Sequence, residues 1–156
     1  MVTFERELAQ LLEKERLLLC SLEECSRQKT DILASGDVDE LNKIVNKERP
    51  LSLQCQAAET QRLTFLKKYS LSGRTLREIC SIADDEYINV LETELESLCV
   101  IVKKLKKRNT FNGELTKSRL EFYGKVKALI TKPVYGYDGI ISQNSQFDRS
   151  FIDRKI

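Results

Sequence analysis

Between Ile88 and Ile130 the chain repeats apolar side chains in alternating steps of three and four. They are Ile88, Leu91, Leu95, Leu98, Val102 and Leu105, and after an interruption the seam loosens through Leu115, Leu120, Tyr123, Val126 and Ile130. Such steps draw one apolar stripe along a helix of 3.6 residues per turn, whereas a half-buried strand would alternate with period two. At two consecutive seam positions the apolar code gives way to Asn109 and Asn112. A buried carboxamide without hydrogen bonds costs about 1–3 kcal/mol. The two amides are therefore expected either to bond across to a neighbouring helix and set its register, or to mark where the packing opens for something else.

The first third repeats the pattern. Phe4, Leu8, Leu11, Leu18, Leu22, Cys25 and Ile32 predict a helix over about 4–34, with Thr3 as its N-cap. Gly36 provides a left-handed stop and Asp37 caps the next helix, so the two helices form an antiparallel hairpin. The second helix, about 38–69, carries Val38, Leu41, Val45, Cys55, Leu63 and Leu66, and a bend is expected at Pro50, which cannot serve the Asn46 carbonyl. Thr75 and Glu78 form a capping box for a short third helix through about Ala83, and Asp84 or Asp85 caps the last helix. Continuous to Thr131, that helix would span about 70 Å. Gly113 and Gly124 weaken its second half.

Glutamate, lysine and leucine dominate a chain of 156 residues with two prolines, six glycines and no tryptophan. The expected class is all-α: a long antiparallel hairpin, a short connector helix and a long C-terminal helix, packed as a coiled-coil-like bundle over residues 1–132. Histidine is absent. That removes His-based acid–base catalysis, Ser-His and Cys-His nucleophile pairs and the commonest metal ligand, so no enzyme, metal or cofactor is expected. Cys20, Cys25, Cys55, Cys80 and Cys99 contain no Cys-x-x-Cys pair and an odd member, which reads as free thiols in a reducing cytosol. No apolar run approaches the ~20 residues a membrane span needs, and the charged N-terminus lacks a signal-peptide core.

The run Lys103-Lys104-Leu105-Lys106-Lys107-Arg108 resembles a phosphate-binding stretch, yet with Val102 and Leu105 on the seam its five cations occupy the remaining arc without any aromatic platform. It reads as a solvated face or a contact for an acidic protein, not as a nucleic-acid site. Glu92, Glu94, Glu96, Asp84 and Asp85 lack calcium-loop spacing and fit polar helix positions or a helix start. Beyond Pro133 the sequence turns at Val134-Tyr135-Gly136-Tyr137-Asp138-Gly139 and then spaces Ile140, Ile141, Phe147, Phe151 and Ile152 among polar residues. As a helix this segment would put Ile140, Phe147 and Phe151 on one face with Ile141 and Ile152 beside it. Alone it buries too little to offset its ordering entropy, so residues 133–156 are expected to form a mobile, partner-binding tail or to fold back on the hairpin. Together with Leu120, Tyr123, Val126, Ile130 and Tyr135 these are the candidate contact residues.

The order of features over nearly the whole chain resembles the FlgN family of flagellar type III export chaperones. The matching stretches are Ile32-Leu33-Ala34-Ser35-Gly36-Asp37 at the hairpin turn, Glu59-Thr60-Gln61-Arg62, Leu71-Ser72-Gly73-Arg74-Thr75-Leu76 in the connector, Asn109-x-x-Asn112-x-x-Leu115, and Tyr135-Gly136-Tyr137-Asp138-Gly139. Where the family has Ser-Leu late in the asparagine helix, this chain has Arg119-Leu120, with Ser118 one position early. The resemblance implies a cytosolic chaperone that binds hook-associated proteins of the FlgK and FlgL type, prevents their premature assembly at the hook–filament junction and brings them to the export gate. The alternative reading is a coiled-coil scaffold subunit without chaperone activity.

Overall fold

The computed structural model describes residues 3–130. They form four helices, α1 (Phe4–Ser35), α2 (Val38–Lys68), α3 (Leu76–Ser81) and α4 (Asp85–Ile130), with no strand among the described residues. The molecule is all-α, as the periodicity requires. The expected tail from residue 133 lies outside the described residues.

Local chemistry sets the helix ends. The Thr3 hydroxyl accepts from the Arg6 N–H, and Asp37 accepts from the Glu40 N–H at 3.0 Å. Gly36 adopts φ +77° and donates its N–H to the Ile32 carbonyl, so α1 ends and α2 begins within two residues. Thr75 and Glu78 exchange side-chain-to-backbone bonds at the start of α3. The Asp84 carbonyl, not a side-chain cap, receives the first N–H groups of α4, from Tyr87 and Ile88. Through Pro50 α2 continues as one helix, and because Pro50 and Asn46 are both exposed, the unserved carbonyl lies on the watered side.

Cross-helix pairs define the topology. Glu15–Arg62 and Lys29–Glu48 run in opposite senses along α1 and α2, which are antiparallel. Arg16–Glu94, Glu23–Arg108 and Thr30–Asn112 run in the same sense, so α4 is parallel to α1. Both long helices pack mainly on α1, and α3 packs on α4. The core follows the same seam, with Leu8, Leu12, Ile79, Leu91, Leu98 and Leu105 fully buried. Phe4 and Phe65 stack with centroids 5.3 Å apart, and Tyr69 meets both rings at the open end of the hairpin.

Because α1 is covered on two sides, its buried set is wider than one seam. Leu12, Leu19 and Leu33 join it, and so do Glu15, Glu23 and Ser26. The α2 stripe also shifts from the expected one: Val38 and Leu63 are exposed, whereas Ile44, Ala58, Arg62 and Phe65 are buried with Cys55 and Leu66. A broad stripe on a straight helix leaves its azimuth to the partner. Cys20 is exposed, while Cys25, Cys55 and Cys80 are buried and Cys99 is half-buried.

The buried Glu15–Arg62 pair closes at 2.7 Å between α1 and α2. Burial pushes the Glu15 carboxyl above its ordinary value, against the lowering effect of the Arg62 guanidinium. Replacing Arg62 by methionine strands that carboxylate and is expected to cost about 3–5 kcal/mol at neutral pH. A carboxyl whose folded pKa is raised contributes stability below its unfolded pKa and loses it as pH rises through the folded value. The Arg62→Met penalty should therefore shrink on acidification in paired urea melts. Burial, helped by the Glu15 charge, also raises the Cys55 thiol to about 12. Maleimide should accordingly label native protein first at Cys20 and reach Cys55 only after denaturation, as peptide mapping would show.

Candidate functional site

Leu91, Leu95, Leu98 and Leu105 of α4 are buried against the body of the molecule. Above Leu105 the contact with α1 changes from apolar to polar. Arg108 donates to Glu23 at 2.7 Å, and Lys104 lies 3.7 Å from the same carboxylate. The Ser26 hydroxyl donates to Asn109 Oδ1 at 2.9 Å. Asn112, only 4 % exposed, accepts from the Thr30 hydroxyl at 2.6 Å and donates Nδ2–H to the Ser26 carbonyl at 3.0 Å. No buried side-chain nitrogen or oxygen among the described residues lacks a partner, so this layer is a satisfied network.

Arg119, the position at which this chain departs from Ser-Leu, has a defined place. Its guanidinium donates to the Leu33 carbonyl at 3.1 Å and to the Ala34 carbonyl. These carbonyls belong to the last turn of α1, which has no basic residue of its own. A cation there answers the negative end of the helix dipole and fills orphan acceptors. Just above, a Cβ placed on Gly36 would lie 3.3 Å from the Tyr123 hydroxyl, so α4 passes directly over the hairpin turn.

Beyond that point α1 has ended and α4 has not. Residues 124–130 continue for about 10 Å past the turn. Helical phase keeps Leu120, Tyr123, Val126 and Ile130 within roughly 120° of arc centred on the side that faces α1 lower down. Leu120, Tyr123 and Ile130 are exposed and Val126 is half-buried. Leu129 and Ile130 are 87 % and 77 % exposed, the highest values among the exposed large apolar residues. Phe122, also exposed, meets Tyr123 edge-on with centroids 6.1 Å apart. The structure thus gathers four of the candidate contact residues at one end of the molecule. The other six, Tyr135, Ile140, Ile141, Phe147, Phe151 and Ile152, lie outside the described residues. Phe122 and Leu129 were not among the candidates, because their seven-residue spacing belongs to a second stripe that the seam obscures.

No group of His, Cys, Asp and Glu among the described residues is placed to hold a metal ion. An open depression of about 400 Å³ beside the connector is lined by Leu63, Lys67, Leu71 and Arg74 among others, and brings no acid–base pair together. No described helix is long and apolar enough to cross a membrane.

Among the described residues, α4 thus ends in an apolar helix end that no other described helix covers. The model of the FlgN protein family matches residues 1–138. The chain therefore belongs to the FlgN family, and its general role is that of a flagellar export chaperone. No curated protein and no solved structure matches it.

The polar layer makes a direct prediction. Asn112→Ala removes both hydrogen bonds that tie α4 to Thr30 and to the Ser26 carbonyl and leaves a gap at a buried position, and should lower stability by about 1–3 kcal/mol. Replacing the whole layer with Ser26→Ala, Thr30→Val, Asn109→Leu and Asn112→Leu removes donors and acceptors together, and should melt at or above the native temperature while favouring self-association. Thermal melts and sedimentation of the two variants check it.

Proposed function

We propose that the chain is a cytosolic chaperone for hook-associated proteins of the hook–filament junction, of the FlgK and FlgL type, which it keeps from premature assembly and brings to the export gate. The supporting observation is that the α4 seam outruns the helix it packs on. Leu120, Tyr123, Val126 and Ile130 continue the interface past the end of α1, where among the described residues all but Val126 are exposed, next to a segment whose apolar residues are spaced for one helical face. Cargo binding completes that interface. An amphipathic cargo helix takes the place that α1 vacates at its end, and residues 133–156 close over it through Tyr135, Ile140, Ile141, Phe147, Phe151 and Ile152. Each large apolar side chain fully buried in this way contributes about 1.5–3 kcal/mol before ordering costs. The cargo surface so covered is the apolar surface through which hook-associated proteins would assemble with one another. In this reading Asn109 and Asn112 hold α4 in register on α1, so that the seam emerges at a fixed height above the hairpin.

The reading is tested by co-purification with hook-junction proteins. A chain ending at Lys132, and a full chain carrying Leu120→Ser, Val126→Ser and Ile130→Ser, should keep the circular dichroism of the helical body and lose at least tenfold in cargo affinity. Undiminished cargo binding by either would refute the chaperone surface and favour a scaffold subunit, and a truncated chain that unfolds would refute the division at residue 132.

A further inference from the structure

The cationic run 103–108 has no part in the cargo surface, and two of its residues, Lys103 and Lys107, stand on the other side of α4. Leu105 is buried, Arg108 is tied to Glu23, and Lys104 approaches the same carboxylate. Lys103 and Lys107 are exposed. Helical phase sets both roughly opposite Leu98, hence away from α1. Two apolar residues bracket them on that outer side, Val100 at 65 % and Phe111 at 53 % exposure. Eleven residues make three turns plus about 20°, so Val100 and Phe111 stand in line, about 16 Å apart, with Lys107 between them. The same eleven-residue step leads to Phe122, and Leu129 follows, which makes the stripe continuous with the projecting end of α4. A helix face turned away from its neighbours is ordinarily polar, and apolar side chains that recur in line along it are available to a partner.

We propose that the outer face of α4 from Val100 to Phe111 docks an acidic amphipathic helix of a protein partner, distinct from the cargo surface. Its apolar side chains rest on Val100 and Phe111, and its carboxylates meet Lys103 and Lys107. Charge selects this occupant: between Val100 and Phe111 the outward charged side chains are Lys103 and Lys107, and residues 101–110 contain no carboxylate. The chain's own residues 131–156 do not fit, because Lys132, Arg149, Arg154 and Lys155 outnumber Asp138, Asp148 and Asp153. A second copy would set the same cations against each other. A lipid surface fits poorly too. Interfacial helices keep their cations on the polar side of the apolar face, whereas here a bilayer would have to bury Lys107 on the apolar line itself.

The test uses the full chain and two labelled helical peptides, each with two leucines eleven residues apart, one with glutamates between them and the other with lysines. Fluorescence anisotropy should show that the glutamate peptide binds, that added salt weakens it, and that the lysine peptide does not bind. Lys103→Glu with Lys107→Glu, and separately Val100→Ser with Phe111→Ser, should each weaken binding at least tenfold at unchanged circular dichroism. All four side chains are exposed, so neither variant removes core. Leu120→Ser with Val126→Ser and Ile130→Ser should leave peptide binding within twofold, which separates this face from the cargo reading. Equal binding of the two peptides, insensitivity to both outer-face variants, preferential uptake by phosphatidylserine vesicles, or sedimentation of the chain as a dimer that excludes the peptide would overturn the proposal.

Discussion

The structure depends on α1 being covered from two sides at once. A helix with one neighbour can keep its charged residues on the free half of its circumference, but α1 has α2 along one flank and α4 along another. Glu15 and Glu23 are therefore buried, and each requires a cation from the helix that covers it. Arg62 arrives from α2 and Arg108 from α4. The two carboxylates make the placement of both neighbours specific, because sliding either helix by a turn would leave a buried charge alone at a cost of several kcal/mol.

The same helix explains why the upper interface with α4 is polar. Leucine on leucine tolerates small shifts, since apolar burial is non-directional. Hydrogen bonds between Asn109, Asn112, Ser26 and Thr30 are directional and complete. They come where apolar packing gives out, and Arg119 fastens the last turn of α1 above them. The helix is thus held near the point where it leaves the body, so that its free end emerges in a defined direction. A flexible joint there would spread the exposed seam over many orientations and raise the entropy lost on binding.

What remains uncovered follows from lengths. Measured along α1, α4 starts near the foot of the hairpin and is longer than it, so its seam must run past the turn at Gly36. Its second apolar line, Val100, Phe111 and Phe122, faces away from α1 and gains nothing from the fold. The described residues therefore carry two kinds of unspent apolar surface, one that extends an existing interface and one that begins a new one. Family membership accounts for a chaperone in general terms, and the proposed contacts with cargo and with an acidic helix would use these two surfaces.

Period, caps and breakers suffice for the helices themselves: the steps of three and four, Gly36 with Asp37, and Thr75 with Glu78 place every element within about two residues, because these are local effects of backbone and side chain. The seam of α4 and its interruption by two asparagines are equally legible. The azimuth of α2, the burial of Glu15, Arg62 and Glu23, and the exposure of Cys20 are not, since a helical stripe does not say how many neighbours will cover it. Leu120, Tyr123, Val126 and Ile130 look in sequence like any other seam residues. Only the tertiary arrangement distinguishes them, because their exposure depends on where a different helix, α1, comes to an end.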